Sequence, residues 1–269
     1  MSPGAAASLG LLAAYAAAIW FRDTAWLAGW DDTLAVLAAL PLAVWLGRPW
    51  RLRRVPERVP PGWLALAAAL SALGAVGGWI VVMAAGWTLL AGLWIRAHVE
   101  PGKGPPRLRL LPLLFLAFPW MALELPGVGW SFRLSGAAVV GGLFDLLRLD
   151  VQRSGTELFV QGMTISVEPA CGGLNVLQAL LVAGAAVVYT KINSPRAYWL
   201  ALLALPLMAW LANTARIFAL SFTALTFGAG FARGAWHSWG GWLALCLMFM
   251  ACVAVFDRIG RRTAAGGAR

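Results

Sequence analysis

The chain has 269 residues, of which 61% are hydrophobic and only 12% charged, with 16 tryptophans and a mean hydropathy of +0.77. So few charges cannot cover a water-facing surface, which excludes a soluble globular fold and implies a multi-span membrane protein. The net charge of +10 does not call for a nucleic-acid partner, because the arginines cluster in short segments between apolar runs, as cytoplasmic loops do.

In chain order, apolar segments fall at 5–21, 33–47, 63–77, 79–95, 110–126, 170–189, 197–228 and 238–256, near the roughly 20 residues a crossing needs. The first lacks a basic leader and a processing site, so it reads as a retained helix rather than a signal peptide. The apolar stretch 63–95 is too long for one crossing, and Gly77-Gly78 is its natural break. Parity then orients the chain. Arg48, Arg51, Arg53, Arg54 and Arg58 follow the second segment; Arg96, Lys103, Arg107 and Arg109 the fourth; Lys191 and Arg196 the sixth; Arg258, Arg261 and Arg262 the eighth. All fall on one side, and Asp23, Asp31 and Asp32 on the other, so both termini are expected in the cytoplasm.

Residues 127–169 are then the one sizeable outer segment. Within it, 135–149 has apolar residues at helical spacing with Asp145 and Arg148 on the opposite face, which predicts a short helix in the membrane interface. The stretch "TELFVQGMTISV" (156–167) alternates about a Gln-Gly pair and predicts a small hairpin leading to Cys171. The expected fold is an all-α integral membrane protein of about eight spans, N-in and C-in, with an amphipathic helix and a β-hairpin outside. The final "TAAGGAR" reads as a disordered tail.

Three polar positions stand out at the outer side. In "VEPACGGLNVLQALL", Pro169 suits the first turn of a helix and Glu168 can accept bonds from its free amides. That places Cys171 where exposed amides and the helix dipole favour thiolate. Gly172 and Gly173 leave the backbone open to a close approach. Asn175 and Gln178 lie four and seven residues beyond Cys171, on one helical face turned to the bundle interior. The alternative is a buried cysteine filler with two amides as interhelical glue. In "WLANTARIFAL", Asn213 and Arg216 interrupt an apolar run too long for one straight crossing, which puts Arg216 near the outer face; snorkelling to the interface is the competing explanation. In "GAWHSWGGW", His237 precedes the last segment, either as a base or within an interfacial tryptophan belt. Together the three supply a nucleophile, a fixed positive charge and a titratable base at one membrane depth, which is what nucleophilic catalysis requires. Cys246 and Cys252 sit within an apolar helix, and the three cysteines have neither disulfide nor zinc-site spacing, so no metal or cofactor is expected.

Over most of its length, and most specifically from Leu110 to Phe256, the chain resembles the exosortase/archaeosortase family of multi-pass transpeptidases. The resemblance is carried by "LLPLLFLAFPW", the amphipathic and hairpin segment, "EPACGGL", "NTAR" and the histidine before the last helix. It implies that Cys171, Arg216 and His237 are catalytic and that Asn213 is the family's asparagine upstream of the arginine. Gly172 stands where the family usually has serine. It implies a division into N-terminal helices (1–109), a catalytic core (110–257) and a basic cytoplasmic tail (258–269). It further implies cleavage of exported proteins at a C-terminal motif followed by a membrane helix and basic cluster, through a thioester resolved by a glycan or lipid acceptor or by water. A bacterial cytoplasmic (inner) membrane, with the active site facing the periplasm, is the expected location. A transporter would show broken helices in matching halves, which are not apparent here. A non-catalytic assembly factor keeping the same fold is the other alternative.

Overall fold

The computed structural model describes residues 3–28, 30–102, 104–166, 174–228 and 235–266. The protein is mostly helical and divides into two compact units, Met1–Leu125 and Pro126–Arg269.

The first unit contains α1 (Pro3–Trp20), α2 (Trp30–Leu46), α3 (Pro61–Gly77), α4 (Ile80–His98), α5 (Leu111–Leu116) and α6 (Trp120–Glu124). The expected break between α3 and α4 is present: Gly78 adopts φ 76, a left-handed conformation that glycine takes without strain, and the helix ends there. The two helices then pack backbone to backbone. A Cβ on Gly86 would lie 2.6 Å from Ser71 Oγ, and one on Gly74 2.6 Å from the Met83 nitrogen. Small residues at such contacts are how membrane helices approach closely. The indoles of half-buried Trp20 and buried Trp87 donate their N–H groups to backbone carbonyls, Trp20 to Ala117 and Trp87 to Leu12, both at 2.7 Å. The Glu124 carboxylate accepts from the Ile80 and Val81 amides, satisfying the first donors of α4 and complementing its dipole.

Two of the arginine-rich loops expected on one side do meet. Leu52 bridges to Val99, and the Arg107 guanidinium donates to the carbonyls of Gly47 (3.0 Å), Glu100 (2.6 Å) and Pro49 (2.5 Å). The segment 110–126, expected as a single crossing, is instead a 3₁₀ turn (Arg107–Leu110) followed by the separate pieces α5 and α6. Pro119 stands at the break. A proline has no N–H to donate and its ring crowds the preceding turn, which favours a break here although it does not force one, since the later helix Pro195–Phe227 continues through Pro206.

The second unit contains α7 (Pro126–Leu146), strands β1 (Val151–Ser154), β2 (Glu157–Val160) and β3 (Met163–Ser166), then α8 (Leu174–Lys191), α9 (Pro195–Phe227) and α10 (Ala235–Gly266). The predicted amphipathic helix is longer than expected, starting at Pro126 rather than 135 and ending at Leu146. The predicted hairpin exists as β2–β3, with Gln161 (φ 50) and Gly162 (φ 77) forming the two-residue turn that strand twist favours. A third strand, β1, pairs antiparallel with β2 and makes a sheet of order β1-β2-β3. Leu158 and Val160 alternate inward and pack with Ala137, Val140 and Phe144 of α7 and Ile217 of α9. The tail was expected to be disordered, but α10 continues through Gly266; Thr263, Ala264 and Ala265 simply extend it.

Among the described residues, three helices are long and apolar enough to cross a membrane: Pro3–Trp20, Ile80–His98 and Pro195–Phe227. Shorter apolar helices are Thr33–Leu46, Pro61–Gly77 and Leu177–Lys191. Helix α9 runs unbroken through Pro206 for 33 residues, about 50 Å, against a hydrocarbon core of about 30 Å. It must therefore tilt or project.

Candidate active site

Only the three residues 192–194 join α8 to α9, so these helices run antiparallel. They touch at Gly184, where a Cβ would strike the Leu205 side chain. From that contact Arg216 lies eleven residues along α9 and Leu174 ten residues back along α8, about 16 and 15 Å at 1.5 Å per residue. Helix α10 is pinned to the opposite end of α8. Lys191 Nζ lies 3.4 Å from Asp257 Oδ1, and a Cβ on Gly260 would strike the Lys191 carbonyl oxygen. From Asp257 back to His237 is twenty residues, about 30 Å, and from Lys191 back to Leu174 is seventeen, about 26 Å. The start of α8, Arg216 and the backbone of His237 thus lie at one end of this unit, within about one helical turn of the same level.

Cys171 precedes Leu174 by three residues in the sequence. With Glu168, Gly172 and Gly173 it lies outside the described residues, as do the side chains of Asn175 and His237. The remaining positions are described. Asn213 is fully buried, as is Gln178 at 1% exposure. Gln178 Nε2 and Arg216 Nε are both buried without a hydrogen-bond partner among the described residues. Leaving such donors unmet is costly, so each is poised for an acceptor that the described residues do not supply. A guanidinium so placed could hold a carboxylate or a developing oxyanion.

A second arginine, on α7, has the same feature and escaped the sequence reading. Arg133 Nε is also buried without a partner among the described residues. Arg133 falls between Gly129 and Ala137 on the buried face of α7, one turn before Gly136, and a Cβ on Gly136 would lie 3.6 Å from Thr214 Oγ1 of α9. One residue earlier on that contact, Trp210 Nε1 donates to Ser135 Oγ at 2.8 Å. The legible signal was an arginine spaced four residues from Gly129 and Ala137 on an otherwise apolar face. Among the described residues no group of three or more His, Cys, Asp or Glu side chains is arranged to hold a metal.

The transmembrane exosortase family model matches residues 26–256, a span that contains every one of these positions. No curated protein and no solved structure matches the chain. Fold and composition define a membrane-embedded, mostly helical protein. The chain belongs to the transmembrane exosortase family. Its members are cysteine-protease-type transpeptidases that act on exported proteins carrying C-terminal sorting signals, which bears out the resemblance drawn from "EPACGGL" and "NTAR".

Proposed function

We propose that the protein is a cysteine transpeptidase that cleaves the C-terminal sorting signal of exported proteins at the outer face of a bacterial cytoplasmic membrane. The observation that carries this reading is the family match over 26–256, which takes in Cys171, Arg216 and His237 together. The Cys171 thiolate attacks the scissile carbonyl and Arg216 stabilises the oxyanion that forms. The peptide C–N bond then breaks as His237 delivers a proton to the leaving amine, and the exported protein remains as a thioester on Sγ. A glycan or lipid hydroxyl, or water, attacks that thioester and restores the thiol. Asn213, Gln178 and Asn175 support the catalytic groups, while Glu168, Gly172 and Gly173 shape the approach to the nucleophile. Arg216 Nε has no partner among the described residues, which supports the oxyanion role, since an arginine committed to a structural ion pair within them would have that donor met. A non-catalytic assembly factor would not need that donor free.

A thioester can be intercepted. Membranes holding the protein and a tagged exported protein with a sorting signal are treated with hydroxylamine, and the expected product is the hydroxamate of the tagged fragment with wild type and none with Cys171→Ala. Hydroxamate from both would remove the thioester chemistry from this chain.

A further inference from the structure

Among the described residues one edge of the sheet beside the candidate site pairs with no other strand, and the sheet's hydrogen-bond register can be read from its turns. The two-residue turn at Gln161-Gly162 makes Val160 and Met163 a hydrogen-bonded pair, so Phe159/Thr164 is a non-bonded pair, Leu158/Ile165 bonded and Glu157/Ser166 non-bonded. The first turn obeys the same rule on the other side. Ser154 and Glu157 close about Gly155 (φ 59), so Glu157 and Phe159 turn their backbone groups to β1, while Leu158 and Val160 turn theirs to β3. Each β2 residue thus serves one neighbour. On β3, Met163 and Ile165 are spent on β2, and the N–H and C=O of Thr164 and Ser166 face away from the sheet. Among the described residues no other strand pairs with that edge. Thr164 is exposed, while Ile165 is packed against the buried cluster of α7, β2 and α9, which holds the strand in place.

Open edges of this kind invite another strand, and proteins usually blunt them with charge, proline or a covering element. Here "MTIS" carries no charge and no proline. The strand also points at the chemistry: Ser166 is five residues from Cys171 in the sequence, at most about 18 Å of extended chain. We propose that the free edge of β3 receives the extended peptide segment preceding the scissile bond of the substrate, which adds as a fourth strand by pairing with the backbone of Thr164 and Ser166. This deepens, and rests on, the transpeptidase reading above. Backbone pairing gives affinity for any extended segment, while pockets for alternate side chains confer selectivity. It also fixes the peptide in one register, so that a single carbonyl is offered to the nucleophile.

The test separates backbone pairing from side-chain contact. Thr164→Pro removes the outward N–H yet breaks no β2–β3 bond, because Thr164 is a non-bonded position, and proline is tolerated on edge strands. Thr164→Val, which keeps the N–H, is the control. The probe is a synthetic peptide spanning the mapped cleavage site of an exported protein that the wild-type enzyme processes, used with full-length enzyme in detergent. Labelling of Cys171 by a small thiol reagent at the wild-type rate certifies each variant. The expected result is a KM about threefold or more higher in Thr164→Pro than in Thr164→Val, with kcat little changed between the two. A smaller rise in KM overturns the proposal. Should Thr164→Pro fail to accumulate, peptides N-methylated one residue at a time on the side preceding the scissile bond decide with wild-type enzyme. Losses alternating with a period of two are expected, and a scan without alternation overturns the pairing. A wild-type enzyme that cleaves no exported protein removes the underlying reading, an outcome distinct from normal cleavage that ignores Thr164→Pro.

Discussion

Gly136 of α7 lies directly against Ile217 of α9: a Cβ on the glycine would come 2.8 Å from Ile217 Cδ1, so that side-chain end must turn aside for even a methyl group. This contact sets the distance between the helix carrying Arg133 and the helix carrying Arg216. A methyl group opposes only the far end of a flexible side chain, and alanine favours a helix over glycine by up to about 1 kcal/mol, so Gly136→Ala should be near neutral. Gly136→Val should cost about 1–3 kcal/mol through overpacking and shift α9. Processing of a co-expressed substrate, normalised to enzyme in the membrane, should fall for Val and hold for Ala.

The two arginines whose Nε atoms are buried can be separated by charge and shape. Lysine keeps the charge of arginine but loses the planar fork that holds an oxyanion. Arg216→Lys should therefore lose about 100- to 1000-fold in processing, the usual loss for an oxyanion donor. A snorkelling arginine would be replaced by lysine without loss. Arg133→Met keeps the apolar stem, so accumulation should hold while processing drops by about tenfold or more, equivalent to at least about 1.4 kcal/mol. Equal falls in accumulation and processing would make Arg133 structural.

At the other end of the unit the contrast is between an ion pair and a backbone contact. Lys191 and Asp257 are 46% and 32% exposed at their side chains, and Arg261 shares the carboxylate at 2.7 Å, so Asp257→Asn should cost less than about 1 kcal/mol. Gly260 faces a carbonyl oxygen that cannot rotate away. Even Gly260→Ala must separate α10 from α8, costing about 1–3 kcal/mol. Thermal aggregation of the purified protein in detergent should fall by several degrees for Gly260→Ala and hardly move for Asp257→Asn.

Sequence patterns carried much of this architecture where a local rule was strong. Gly77-Gly78 marked a left-handed helix end, and Gln161-Gly162 marked a two-residue turn, because few residues accept positive φ. Strand β1 was not legible. "VQRS" is largely exposed and lacks alternation, and it is a strand only because β2 lies beside it. The stretch 110–126 misled because hydropathy counts apolar residues and ignores the amide that Pro119 lacks. At the candidate site, charge parity gave the expectation that Arg216, His237 and the start of α8 share one side of the membrane. Arg133 was missed because the amphipathic pattern began at 135, two residues past it, whereas the helix itself starts at Pro126.

The central claim is that Cys171 is the nucleophile, and its most direct test is the processing of a co-expressed exported protein by single-cysteine variants. Cys252 is buried within α10 and Cys246 lies on the same helix, nine and more residues from His237, so neither should reach the reacting carbonyl. Cys171→Ala is predicted to accumulate in the membrane at the wild-type level and to process nothing, while Cys246→Ala and Cys252→Ala process normally. Continued processing by Cys171→Ala would contradict the account.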